Sequence, residues 1–133
     1  IEKIDKYKKI IVDNTNIILI INSGVYFIKV TDYEYKITGA VQDEFLMQFK
    51  GSNRKKIIND LKTYNEIYNK YQSKIDVPIK KYLIIKNHCQ LQVELKDINI
   101  LREYQFYYKF KRFILDNNYS NEKINEIYKK LTL

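Results

Sequence analysis

Residues 16–30 read NIILIINSGVYFIKV, and the fold turns on them. The aliphatic run Ile17–Ile21, fenced by Asn16 and Asn22, reads as a buried strand. Asn22-Ser23-Gly24 supplies turn chemistry, and Val25–Val30 follows as a second strand. Beyond it, Tyr33, Tyr35 and Ile37 alternate with Glu34, Lys36 and Thr38, the mark of a half-exposed strand. Glu44–Phe49 reads as another, ended by Gly51-Ser52-Asn53. Upstream, Ile4, Tyr7, Ile10 and Ile11 share a helical face and predict a short helix over residues 3–11.

Downstream the period changes. Ile57, Leu61, Tyr64, Tyr68 and Tyr71 recur at spacings of four and three, one continuous apolar stripe. This predicts a helix capped by Ser52 or Asn53, with its stripe packed on the sheet. After Pro78, Lys80–Lys86 reads as a strand. Past the turn at Asn87-His88, Cys89, Leu91, Val93 and Leu95 alternate with Gln90, Gln92, Glu94 and Lys96: one face buried, one wet. Cys89 falls on the apolar face, as a small buried hydrophobe. Asp97 caps an expected helix to about Leu115, with apolar stripes Leu101-Tyr104-Tyr108-Leu115 and Phe106-Phe110-Phe113. Such a helix, apolar on most of its circumference, is expected to be central. Ser120 caps a last helix presenting Ile124, Ile127, Tyr128 and Leu131 on one face.

These elements predict one α+β domain over residues 1–133: a mainly antiparallel sheet of five to six strands packed by two to three helices. A chain of 133 residues with 45% hydrophobic content can bury a core without metal or disulfide. Its single cysteine excludes an internal disulfide and points to an intracellular, reducing compartment: host cytoplasm, virion or organelle. No signal peptide is visible, and the longest aliphatic run is far short of a membrane span.

The net charge is +8. The sequence holds 22 Ile, 21 Lys, 13 Asn and 13 Tyr but one Ala and three Arg, the usage of an AT-rich genome such as that of a large DNA virus, phage, organelle or parasitic protist. Codon bias alone can therefore raise lysine. It does not place it: residues 1–49 carry six Lys against seven acids, whereas residues 50–133 carry 18 basic residues against nine. The basicity belongs to the C-terminal two-thirds.

Catalytic patterns are sparse. One His and one Cys cannot fill a structural zinc site, and as strand neighbours His88 and Cys89 point to opposite faces. Gly51-Ser52-Asn53 lacks the second glycine and Lys-Ser/Thr ending of a phosphate loop. No cofactor is implied. Gly24-Val25-Tyr26 with Tyr35-Lys36-Ile37 resembles the paired strands of the GIY-YIG nucleases. Thr38 stands where that pattern has glycine and no arginine follows before Arg54, so no role is carried over. Asp13 with Glu34-Tyr35-Lys36 resembles the metal-dependent nucleases, whose carboxylates hold a divalent ion while lysine activates water. Against this stands the plain reading of an exposed Glu-x-Lys pair.

Two basic features suit an anion. Arg54, Lys55 and Lys56 would occupy the first turn of the predicted helix, with Lys50 before and Lys62 after. Cations are unfavourable at that positive helix end, and a phosphate docked on its free N–H groups would offset the cost. Strands followed by this basic helix start are similar to the double-stranded-RNA-binding domain, although its alanine-rich helix is absent. The second feature is the strip Arg102, Lys109 and Arg112, with Lys111 beside it and Tyr104, Tyr107 and Tyr108 flanking, which suits phosphate plus base stacking. Its plain alternative is tyrosines packed in the core with basic stems at the surface. The sequence thus predicts a non-enzymatic domain contacting nucleic acid, RNA first, through phosphates and within a larger assembly. The second expectation is a viral or organellar structural protein on an acidic protein surface, and the third is the metal-dependent nuclease.

Overall fold

The computed structural model describes residues 8–113 and 116–133, with the side chain of Phe113 excepted. The fold is α+β, with nine strands in two mixed sheets and three helices. The larger sheet has the order β1-β2-β3-β7-β9: β1 Lys8–Asp13, β2 Asn16–Ile21, β3 Gly24–Val30, β7 Ile79–Ile85 and β9 Asn99–Arg102. The smaller has the order β6-β5-β4-β8: β4 Lys36–Thr38, β5 Phe45–Lys50, β6 Asn53–Ile58 and β8 Gln90–Gln92. The helices are α1 Tyr64–Gln72, α2 Glu103–Phe113 and α3 Asn121–Leu131.

The expected buried strand is β2. It pairs antiparallel with β3 through the two-residue turn Asn22-Ser23, and β3 pairs parallel with β7, which pairs parallel with β9. Parallel neighbours require crossovers, and those crossovers put layers on both faces, which is why β2 and β3 are near-continuous apolar runs. On one face Ile18, Ile20, Val25, Phe27 and Ile79 pack against Tyr64 and Tyr71 of α1 and Ile124, Ile127 and Leu131 of α3. On the other, Leu19, Ile21, Tyr26, Ile28, Tyr82 and Ile84 meet Leu101 and Phe110, with Phe106 against them. A third cluster, with Leu83 and Ile85 of β7 beside Ile37, Leu46, Leu61, Cys89 and Val93, fastens the smaller sheet to the larger.

Three expectations are corrected. Residues 8–11 of the predicted first helix are strand β1, closed onto β2 by Asn14-Thr15 with Asn14 at φ 57°; residues 3–7 lie outside the described residues. The helix expected to start at Arg54, after a cap at Ser52 or Asn53, begins only at Tyr64. Residues 53–58 are strand β6, in a hairpin with β5 whose two-residue turn starts at Gly51, φ 59°. Asn59 ends β6: its side chain donates to the carbonyls of Val41 and Asp43 at 3.0 and 2.8 Å and accepts from the Leu61 amide at 2.9 Å. Tyr33 Oη accepts from the Asp60 amide at 2.8 Å, so the segment is held as a turn by tertiary bonds and the helix is delayed. Third, the helix expected from Asp97 starts at Glu103, because Asn99–Arg102 pair with β7 as β9; Leu115 lies outside the described residues. The C-terminal helix stands as read, with Ser120 Oγ accepting from the Lys123 amide at 3.1 Å. Alternation over residues 89–96 also stands, with Cys89 and Val93 buried and Leu91 and Leu95 half-buried, although only Gln90–Gln92 form a ladder. Among the described residues no helix is long and apolar enough to cross a membrane.

Candidate nucleic-acid interface

The smaller sheet is two-faced. Its register sets Ile37 against Gln48 and Leu91, and Leu46 against Ile57, on the inner side. The outer side of the same strands carries Lys36 and Thr38 of β4, Phe45, Met47 and Phe49 of β5, Arg54, Lys56 and Ile58 of β6, and Gln90 and Gln92 of β8. Arg54 and Lys56 are thus brought together on an exposed sheet face rather than at a helix start, and the helix-dipole reason for binding there lapses, as does the likeness to the double-stranded-RNA-binding domain. Lys55 alternates to the other side. There it lines a cleft of about 450 Å³ with Asp32, Tyr33 and Asp60, whose rim Lys56 and Ile58 share, so acids stand near both lysines. Lys50 closes β5 with its ammonium 5.0 Å from the Tyr35 ring, and Lys62 stands exposed in the turn before α1.

Lys36 was missed by sequence reasoning, which read Glu34-Tyr35-Lys36 as one motif. The structure separates its members. Glu34 is paired with Lys86 at 3.1 Å, whereas Lys36 lies 5.8 Å from the Phe49 ring. Asp13 accepts from Tyr71 Oη at 2.7 Å and from Lys70 Nζ at 3.3 Å, and the Tyr71 hydrogen bond, foremost, holds its carboxyl below the ordinary carboxylate value. Each carboxylate is held by different partners. Among the described residues no cluster of three or more His, Cys, Asp or Glu could hold a metal ion.

The second basic feature is also rearranged. Arg102 ends β9, and its Nη1 sits 3.3, 3.0 and 2.7 Å from the carbonyls of Lys86, Asn87 and Cys89. This guanidinium fixes the loop between β7 and β8 and is taken from the binding strip. Burial pushes the neighbouring Cys89 thiol up, against a smaller opposing pull from Arg102. Phe106 and Phe110 face the sheet, whereas Tyr104, Tyr107 and Tyr108 are 55%, 60% and 68% exposed, so the tyrosines do not pack in the core. With Lys111 and Arg112 they occupy positions i, i+3, i+4, i+7 and i+8 of α2, one outward stripe, and Lys109 is exposed beside it. Lys111 Nζ lies 5.5 Å from the Tyr107 ring.

Neither a family model, nor a curated protein sequence, nor a solved structure matches the chain. Function is therefore read from these surfaces.

Proposed function

We propose that this domain is a non-enzymatic binder of nucleic acid, RNA first, which contacts phosphates through the exposed cations of its C-terminal two-thirds. The supporting observation is the outward stripe of α2. Cations in a last helical turn suit the helix dipole and alone argue nothing. Three tyrosines held mostly in water do not serve the fold, however, and large exposed rings interleaved with cations suit a ligand that offers both phosphates and base faces.

The test is a titration of labelled single-stranded RNA at several salt concentrations, with heparin and polyglutamate as competitors. Replacing Lys109, Lys111 and Arg112 together with Gln should weaken binding and reduce the salt slope by about one unit for each phosphate no longer neutralised. Unchanged affinity and slope would remove α2 from the interface. Displacement by polyglutamate as readily as by RNA would favour the acidic-protein reading instead.

A further inference from the structure

The outer face of the smaller sheet has an inverted pattern. Along β5 the apolar residues Phe45, Met47 and Phe49 alternate with Leu46, Gln48 and Lys50. Burial would favour turning the three apolar residues inward, yet Leu46 is the one 1% exposed, with Gln48 on its side, and Phe45 is 46% exposed. A shift of one residue would reverse this; the register in place seats Leu46 alone of β5 in the core and leaves three apolar residues outward. Ile58, 72% exposed, extends the apolar surface on β6. Among the described residues no carboxylate stands on this face of the four strands, whereas Lys36, Arg54 and Lys56 do.

We infer that this open sheet face is a platform for single-stranded nucleic acid, with bases stacked on Phe45 and Phe49 and phosphates held by Lys36, Arg54 and Lys56. The platform rests on the proposed function and adds to it the ligand class and a second surface. Three features select this occupant. Lys36 and Lys56 already lie 5.8 and 5.9 Å from the Phe49 and Phe45 rings, so cation and ring come as adjacent pairs, which match a phosphate and its base. A duplex keeps its base faces stacked inside and could use the cations but not the rings. A second copy of the same face would set these cations against their own kind, which disfavours a symmetric dimer there. The lysines also guard the edge strand β6 against pairing, but that role explains neither the outward phenylalanines nor Lys36 on an interior strand.

The experiment compares a single-stranded 15-nucleotide RNA, an abasic strand of the same length and the matching duplex, by fluorescence anisotropy on the whole chain. The native protein should prefer the base-bearing strand to the abasic one by about fivefold or more, the value of one stacked base. Phe45→Ala with Phe49→Ala should cut that preference to what the α2 tyrosines alone supply, a fall of about fivefold for each stacked base lost, while leaving duplex affinity within about twofold. Because this pair could disturb folding, Lys36→Gln, Arg54→Gln and Lys56→Gln together provide a second route: a shallower salt slope on single strands with unchanged melting. Equal affinity for the abasic and base-bearing strands, or binding that survives both sets of changes, overturns the platform but leaves a phosphate-binding domain. Failure to bind any of the three RNAs overturns the function itself. Loss of self-association in the phenylalanine variant would assign the face to a second copy and also overturn the proposal.

Discussion

The two sheets draw on similar residues and end differently. In the five-stranded sheet β2 and β3 are apolar on both faces, and each face has a helical layer over it: α1 and α3 on one side, α2 on the other. In the four-stranded sheet only the inner face, with Ile37 and Leu46, is covered. Its outer face keeps Phe45, Met47 and Phe49 with nothing from the described residues laid across it as a core cluster. A strand's apolar content therefore does not decide its burial here; the presence of a second layer does. The surplus of apolar residues on the bare side is what the fold leaves unexplained, and the proposed ligand would account for it.

Substitutions can break or sharpen this contrast. The largest effect belongs to the doubly covered sheet. Phe27, fully buried and 5.0 and 5.9 Å from the Tyr64 and Tyr68 rings, should cost about 3–5 kcal/mol when cut to Ala, read as a drop in denaturation midpoint. A loss under about 1 kcal/mol would mean that α1 does not cover β3.

The next effect runs the other way. Lys29, 4% exposed, faces the α1 side of β3, paired in register with Asn16, and donates to Thr15 Oγ1 at 2.5 Å. Asn16 Oδ1 is itself buried with no hydrogen-bond partner among the described residues. Burial lowers the Lys29 pKa from its ordinary value, so the unfolded chain binds that proton more tightly. The resulting penalty is complete at neutral pH and fades as pH rises through the folded value toward about 10.5. Lys29→Met should stabilise the protein at pH 7 by about 1–2 kcal/mol, and the gain should shrink at alkaline pH. Destabilisation by the change would show that the ammonium is paired more strongly than its Thr15 bond suggests.

The smallest effect belongs to the bare face. Ile58→Thr should move stability by no more than about 0.5 kcal/mol, measured alongside the Phe27 variant. A larger loss would place a hidden layer over the smaller sheet and close the contrast between the two.

Much of the fold was legible because its signals are local. The amide-fenced run at 16–22, the alternation at 89–96 and the Ser120 cap each needed only neighbouring residues. The misreadings fell where distant bonds set the outcome. Ile57 and Leu61 do fit a helical stripe with Tyr64, Tyr68 and Tyr71, but Asn59 and Tyr33 hold that stretch as a strand end and turn. Gly51-Ser52 carried the hairpin signal that would have put a strand, not a helix start, at residues 53–58. The candidate site was legible in residue type and hidden in placement: Arg54 and Lys56 proved to share a face, Lys55 and Arg102 left it, and Lys36 joined it through the pairing of β4 with β5, a register no local pattern announces.

The turn Asn22-Ser23 has a bearing on how the molecule is assembled in time. The Asn22 carbonyl accepts from the amides of Asn118 and Tyr119, both at 2.8 Å, and its side-chain amide donates to the Tyr119 carbonyl at 2.9 Å and to Asn121 Oδ1 at 3.0 Å. Asn118 Nδ2 donates in turn to the Ser23 carbonyl at 3.0 Å. The β2-β3 hairpin is thus fastened by residues nearly a hundred positions later, and its parallel neighbour β7, with β9 beyond it, is also synthesised after it. Such long-range closure slows folding and leaves an apolar hairpin waiting in the nascent chain. During that interval β2 and β3 would stand as apolar strands with open edges, exposed to misassociation.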